Sequence, residues 1–130
     1  MRKVVVALSA LILAFSAANA NSSSVYANMG LLEQGLTNIQ KGFLYNSDAM
    51  IKSGVQNLVD AEDAISAKDR YDMAKAGMSE AAIENITASM REHIQQLDSA
   101  VEKKQMGEAA NAYSNVVKDC VTCHIAIRDR

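Results

Sequence analysis

The chain has 130 residues, 13 basic and 15 acidic side chains, and a formal net charge of −2. That length is enough for one domain, and because no block of basic residues is present, the sequence argues against nucleic acid as a partner. Proline and tryptophan are absent, and no strand alternation or hairpin turn is visible, so an all-helical protein is predicted.

Residues 1–20 have the pattern of a cleaved secretory signal peptide. Basic residues at the start are followed by an apolar stretch at 4–15, which is too short to span a bilayer. Small residues at 18–20 form an A-x-A cleavage site. We therefore expect a mature domain over 21–130, exported to a bacterial periplasm without a stable membrane anchor.

Polar residues at 21–24 supply candidate N-caps for a first helix. An apolar stripe follows in steps of three and four residues, the spacing of one helix face. The stripe comprises Val25, Met29, Leu32, Leu36, Ile39 and Phe43. Gly30, Gly35 and Gly42 weaken a helix by up to about 1 kcal/mol each relative to alanine, but small residues also permit the close approach of a partner helix or ligand.

Capping residues at 46–48 separate this helix from a second one, predicted over about 49–66. Its stripe comprises Ile51, Val55, Leu58, Val59 and Ile65. Glu62 falls on the stripe near its far end, where we expect it to reach solvent at the edge of the bundle rather than to act as a catalytic carboxylate. The polar segment 67–78 is the longest connection, with room for a short helical turn.

Ser79 is the predicted N-cap of a third helix, which extends to about Gln105 and for which Gly107 suits the stop. Its stripe comprises Ile83, Ile86, Met90, Ile94, Leu97 and Val101. A fourth helix opens near Glu108 and carries Ala109, Tyr113, Val116, Val117, Cys120, His124 and Ile127. Amphipathic helices with these connections predict an antiparallel four-helix bundle with a cofactor site between facing helices.

The pentapeptide CVTCH at 120–124 reads C-x-x-C-H, the attachment signature of c-type haem. In that chemistry the thiols add across vinyl groups of the macrocycle, and the adjacent imidazole becomes the proximal iron ligand. On a helix, Cys120, Cys123 and His124 share one face, which continues the apolar stripe of the fourth helix. The sequence therefore predicts one covalently bound haem c per chain, anchored by both cysteines and ligated by His124.

Other interpretations of the cysteine pair explain less. A thioredoxin-like redox pair needs a βαβ context and a helix start, whereas this pair comes late in a predicted helix. A structural zinc site needs four ligands, and outside the motif the chain offers only His93 and no further cysteine. A disulfide between Cys120 and Cys123 would leave His124 without a role.

An exported chain of this length, with four predicted helices and C-x-x-C-H in the last, resembles the class II c-type cytochromes, the family of cytochrome c′ and its low-spin relatives. The resemblance is closest over 112–130, where AYSNVVKDCVTCHIAIRDR is similar to the family's closing helix. That helix carries a basic residue four positions after the histidine, which here is Arg128, so the resemblance places Arg128 among the cofactor-binding residues.

The resemblance also implies that the first helix covers the distal face of the haem, with Met29 at the position that approaches the iron. In low-spin members this residue is a methionine ligand, whereas in cytochrome c′ it is usually a bulky non-ligand and the iron stays five-coordinate. The family often has an arginine one turn earlier, where this chain has Val25. Members are often dimeric through their first two helices, which implies a homodimer.

Several other side chains compete for the distal position or the pocket. Met50 lies off the stripe of its helix, and Met90 lies on the stripe of the third helix as a core residue. His93 flanks that stripe, in a position that is usually half-exposed, and bis-histidine ligation through it is a minor alternative. Tyr26 and Tyr113 are candidates for lining the haem pocket.

Two functions stay open at this point. With Met29 on the iron, the protein would carry single electrons between redox partner proteins, using no protein acid or base and so not acting as an enzyme. With Met29 only shielding the iron, an apolar distal pocket would bind small gases such as nitric oxide or carbon monoxide. A peroxidase-like enzyme would need a distal histidine or arginine, and neither falls on the stripe of the first helix.

Overall fold

In a computed structural model the chain is described over residues 25–65 and 67–128, and this part is entirely helical apart from its connections. The helices are α1 (Val25–Tyr45), α2 (Asp48–Asp63), α3 (Ala67–Lys75), α4 (Glu80–Glu102) and α5 (Met106–Arg128). None of them is long and apolar enough to cross a membrane. The predicted signal peptide at 1–20 lies outside the described residues.

The prediction of an all-helical, bundle-like fold is confirmed, but this part of the chain contains five helices instead of four. The additional helix is α3, which fills most of the connection predicted at 67–78. Asp69 in its first turn and Lys75 in its last turn complement the helix dipole, and Lys68 pairs with Asp72 one turn along. These local interactions stabilise a helix whose apolar stripe is too short to show in the sequence.

The helix ends follow from capping chemistry. Ser79 is the N-cap of α4, as predicted, because its hydroxyl accepts the Ala82 N–H at 3.2 Å. Within the predicted capping segment 46–48, Ser47 is the N-cap of α2, and its hydroxyl accepts the Met50 N–H at 3.4 Å. The predicted stop at Gly107 is wrong, since this residue lies in the first turn of α5.

Helix α4 ends earlier, through a backbone motif that does not use glycine. Lys104 adopts a left-handed conformation with φ 56°, and the N–H of Gln105 bonds to the carbonyl of Ala100 at 2.9 Å. This is the hydrogen-bond pattern of a Schellman motif. Asn46 (φ 52°) and the bond from the Ser47 N–H to the Gly42 carbonyl (2.9 Å) repeat the pattern after α1.

The core is built by two tightly packed helix pairs. Helix α1 packs mainly against α2, and α4 packs mainly against α5, while α2 also contacts α4. The predicted apolar stripes supply this core, whose largest buried residues include Leu32, Ile39, Ile51, Leu58, Ile94, Leu97 and Val116. A smaller cluster of Met73, Met78 and Ile83 packs against Cys123 and Ile127. The second cluster therefore lies at the end of α5 that carries the C-x-x-C-H motif.

The α1–α2 contact depends on glycines that bring the two backbones together. A Cβ atom added to Gly54 would lie 2.6 Å from the Gly35 carbonyl oxygen, and one added to Gly35 would lie 2.9 Å from the Gly54 carbonyl oxygen. A Cβ on Gly42 would lie 2.8 Å from the backbone nitrogen of Ile51. In contrast, a Cβ on Gly30 would meet nothing within 4 Å. Two of the three glycines noted in the first helix therefore serve close packing.

Glu62 corrects another prediction, because its side chain is only 7% exposed and does not reach solvent at the bundle edge. Its carboxylate forms an ion pair with Arg91 on α4. The apolar stripe of α2 continues through this position, and a guanidinium from the neighbouring helix offsets the cost of burying the charge.

We expect Gly54→Ala to destabilise the protein by about 1–3 kcal/mol, because neither helix backbone can move away without disturbing the core. Gly30→Ala should stabilise it by about 0.5–1 kcal/mol, since alanine is the better helix former and the site is open. Denaturant titrations followed by circular dichroism measure both values. Equal effects of the two substitutions would contradict the close backbone contact.

Candidate functional site

The described residues line a partly open cavity of about 350 Å³ between α1, α3, α4 and α5. This volume is within the usual range for ligand and cofactor sites. Most of its surface is apolar, and its lining comprises Asn28, Met29, Leu32, Glu33, Leu36, Ile65, Asp69, Met73, Met78, Ile83, Ile86, Thr87, Met90, Asp119, Cys120, Cys123 and His124. The stripes of α1 and α4 thus face this space as well as the core.

The cavity brings together residues from opposite ends of the sequence. Cys120, Cys123 and His124 lie on one side of α5, as the helical spacing predicts, and all three line the cavity. Met29 from α1 lines it too. The cysteines are half-buried, whereas the His124 side chain is exposed at the edge of the cavity. The structure therefore groups four of the five residues proposed from the sequence as cofactor or iron ligands.

Both cysteines are free thiols in a largely apolar setting. Burial raises the pKa of Cys123, and its thiol donates to the Met78 sulfur at 3.9 Å. Burial also raises the pKa of Cys120, and the charge of Asp119 raises it further, followed by that of Cys123. At neutral pH both groups are therefore thiols rather than thiolates.

Asp119 directly precedes Cys120 on α5, and its side chain is bound by two residues of α4. Its carboxylate accepts a hydrogen bond from the Ser89 hydroxyl at 2.9 Å, and its other oxygen lies 2.6 Å from the His93 ring nitrogen Nδ1. The His93 side chain is 23% exposed and does not line the cavity. His93 thus has the flanking position expected from the sequence, directed at a carboxylate.

Four methionines line the cavity, and the sequence predicts a role at the site for only one of them, Met29. Met29 is half-buried, while Met73, Met78 and Met90 are buried. Met90 also belongs to the core, as predicted. Met73 and Met78 were missed because they lie in the polar connection, where a helical stripe cannot be recognised. The sequence does contain a signal for both residues, because large apolar side chains are unusual in a polar segment.

A buried polar pair also lines the cavity, and sequence reasoning did not find it. Asn28 is 3% exposed and Asp69 is 1% exposed. The Asn28 amide donates to the Asp69 carboxylate and to the backbone carbonyl of Ala64, each at 3.3 Å. These bonds connect the first turn of α1 to the end of α2 and to α3. Asn28 is also the residue directly before Met29.

The remaining candidates lie elsewhere. Arg128 is exposed at the end of α5 and does not line the cavity. Tyr113 packs edge-to-face on Phe43, with ring centroids 5.9 Å apart, and is not among the residues that line the cavity. The side chain of Tyr26 lies outside the described residues.

The donor set fits haem c. Two thiols and an imidazole on one helix side border an apolar space, and methionine sulfurs are available as soft iron ligands. Among the described residues, no three His, Cys, Asp or Glu side chains are grouped to hold a metal ion by themselves. A haem iron does not require such a group, because the macrocycle supplies its equatorial ligands.

Comparisons of the chain with protein-family models, with curated proteins and with solved structures found no match. The assignment of this site therefore depends on the motif, the cavity and the chemistry of the residues that line it.

The raised thiol pKa values give a testable prediction for the chain before haem is attached. Iodoacetamide should alkylate both cysteines slowly at neutral pH and faster as the pH rises, since only the thiolate reacts. Asp119→Asn removes a negative charge beside Cys120, so the pKa of that thiol should fall and its labelling at neutral pH should accelerate. Peptide mass spectrometry measures the rate for each cysteine separately.

Asp98→Asn on the exposed side of α4 is the matched control and should leave both rates unchanged. Equal acceleration of Cys120 and Cys123 in Asp119→Asn would indicate loss of structure instead, and would contradict the electrostatic explanation.

Proposed function

We propose that the protein is a periplasmic monohaem cytochrome of the class II type, which carries single electrons between redox partner proteins. The observation that carries this proposal is that Cys120, Cys123, His124 and Met29 all line the same apolar cavity. Local spacing explains why the three motif residues lie together, but only the tertiary structure brings a methionine from α1 to the same space.

Each residue of the set has a distinct role. Cys120 and Cys123 would hold the haem as thioethers, and His124 would be the proximal iron ligand. When bound, the haem supplies a metal that gains and loses one electron. The apolar residues around it keep water away, and a methionine ligand raises the reduction potential. The protein thus has to position ligands and exclude solvent, and no side chain needs to transfer a proton.

Met29 is the best distal ligand among the four cavity methionines. The Met78 sulfur lies 3.9 Å from the Cys123 sulfur. Because the vinyl groups that cysteines attack are at the periphery of the macrocycle, Met78 would contact the ring edge. Met90 packs in the core cluster and Met73 in the smaller cluster. Met29 is only half-buried against the core and lines the cavity from α1, which makes few contacts with the motif helix.

The surface beside the motif also suits electron transfer. His124 is exposed, and its neighbours Val121 and Ile125 on α5 are exposed apolar residues. An electron carrier must bring its cofactor near a partner during a brief encounter, and a small apolar patch next to the cofactor serves this purpose.

Gas binding is the second candidate function, favoured by the apolar character and size of the cavity around Met29. If Met29 packs without binding the iron, nitric oxide or carbon monoxide would find a distal position in an apolar space. The same protein cannot have Met29 both on the iron and away from it in its resting state, so one spectrum separates the two functions.

We expect the purified haem protein to give a low-spin spectrum with the weak red band of thioether-to-iron charge transfer, unchanged by carbon monoxide. Met29→Ala should abolish the red band and open the iron to carbon monoxide. The control is Met50→Ala, a methionine that does not line the cavity, and it should keep the wild-type spectrum.

A high-spin ferrous spectrum that shifts at once with carbon monoxide would exclude Met29 as a ligand and favour gas binding. A wild-type protein without covalently attached haem would refute the whole proposal.

A further inference from the structure

The cavity is apolar except for a few residues, and one of these is the most deeply buried carboxylate in the described chain. Asp69 is 1% exposed and ranks among the largest fully buried side chains. Burying a carboxylate is costly unless it interacts with donors or opposite charge. Here Asn28 donates to it, and its place in the first turn of α3 is where a helix dipole favours negative charge.

The other carboxylates of the cavity are in different situations. Asp119 is hydrogen-bonded by Ser89 and faces His93, which directs its interactions toward α4. Glu33 is exposed to solvent, which screens its charge. Asp69 is therefore the most deeply buried carboxylate of the cavity lining, where its charge is the least screened by water.

We propose that Asp69 tunes the reduction potential of the bound haem, an inference that rests on the proposed function. Oxidised iron carries one more positive charge than reduced iron. A negative charge in the same buried space stabilises the oxidised form, and at low effective dielectric this attraction is much stronger than in water. Asp69 thus lowers the reduction potential and opposes the effect of the Met29 thioether.

Asn28 is the positioning residue of this arrangement. Its amide binds Asp69 and the Ala64 carbonyl at once, so it fixes the carboxylate relative to α1 and to the end of α2. Because Met29 follows directly in the sequence, the same anchor sets the place of the distal ligand. The same hydrogen bonds would be present if Asn28 and Asp69 only stabilised the fold. The experiment must therefore remove the charge of Asp69 while keeping the shape of its side chain.

The decisive variant is Asp69→Asn in the haem-loaded protein, because it keeps the shape of the side chain and removes its charge. We expect the midpoint potential to rise, with a change of about tenfold in the ferric-to-ferrous ratio at a fixed potential, which is about 59 mV for one electron. The melting temperature should fall by a few degrees at most, because the new amide can still accept from Asn28 while the helix dipole loses its negative partner. Spectroelectrochemical titration and thermal unfolding measure the two quantities on one sample.

Asp72→Asn is the matched control, since it removes another carboxylate from the same helix. The Asp72 side chain is 33% exposed, pairs with Lys68 and does not line the cavity. It should leave the potential unchanged. An unchanged potential in Asp69→Asn, or equal rises in both variants, would overturn the proposal, and a lower melting temperature at constant potential would assign Asp69 a structural role only.

If Asp69→Asn does not retain haem, Asp69→Thr is a second neutral variant, and its midpoint potential should rise in the same way. Failure of both to retain haem would show that the fold requires the carboxylate, and would also overturn tuning as its role. These results differ from failure of the proposed function, in which the wild-type protein itself carries no covalent haem.

Discussion

The structure depends on one packing constraint, which is that α1 and α5 contact each other far less than each contacts its own partner helix. The cavity lies between them and is also lined by α3 and the start of α4. The apolar stripes of α1 and α4 therefore border a space that a bound haem, as proposed, would fill.

This constraint explains why the tight contacts are where they are. The glycine-mediated approach of α1 and α2 fixes one side of the cavity, because Gly35 and Gly54 leave almost no freedom between the two backbones. The α4–α5 pair fixes the other side. A haem bound between these helix pairs, as proposed, would keep its ligands at constant positions during oxidation and reduction, which would limit the structural change that accompanies each electron.

Periodicity in the sequence was sufficient for the elements that bury a long apolar face. It identified α1, α2, α4 and α5 and most of the core, while residue type identified the N-cap Ser79 and the capping segment 46–48. It missed α3, whose stabilisation is local and polar. It also misplaced Glu62 and Gly107, because a buried ion pair requires the position of Arg91 and a Schellman motif can use lysine in place of glycine.

The candidate site also contains residues that the sequence predicts and residues that only the tertiary structure reveals. Cys120, Cys123 and His124 share one helix, so their spacing alone predicts that they face together. Asn28 and Asp69 come from different helices and meet only through tertiary packing. In a haem-loaded protein, as proposed, adjacent positions in α1 would act on the haem in opposite directions: Met29 would raise the potential as a ligand, and Asn28 would hold the charge that lowers it. A change that rotates the first turn of α1 would then alter both effects at once, so the potential would depend on how firmly Asn28 is anchored to the Ala64 carbonyl and to α3.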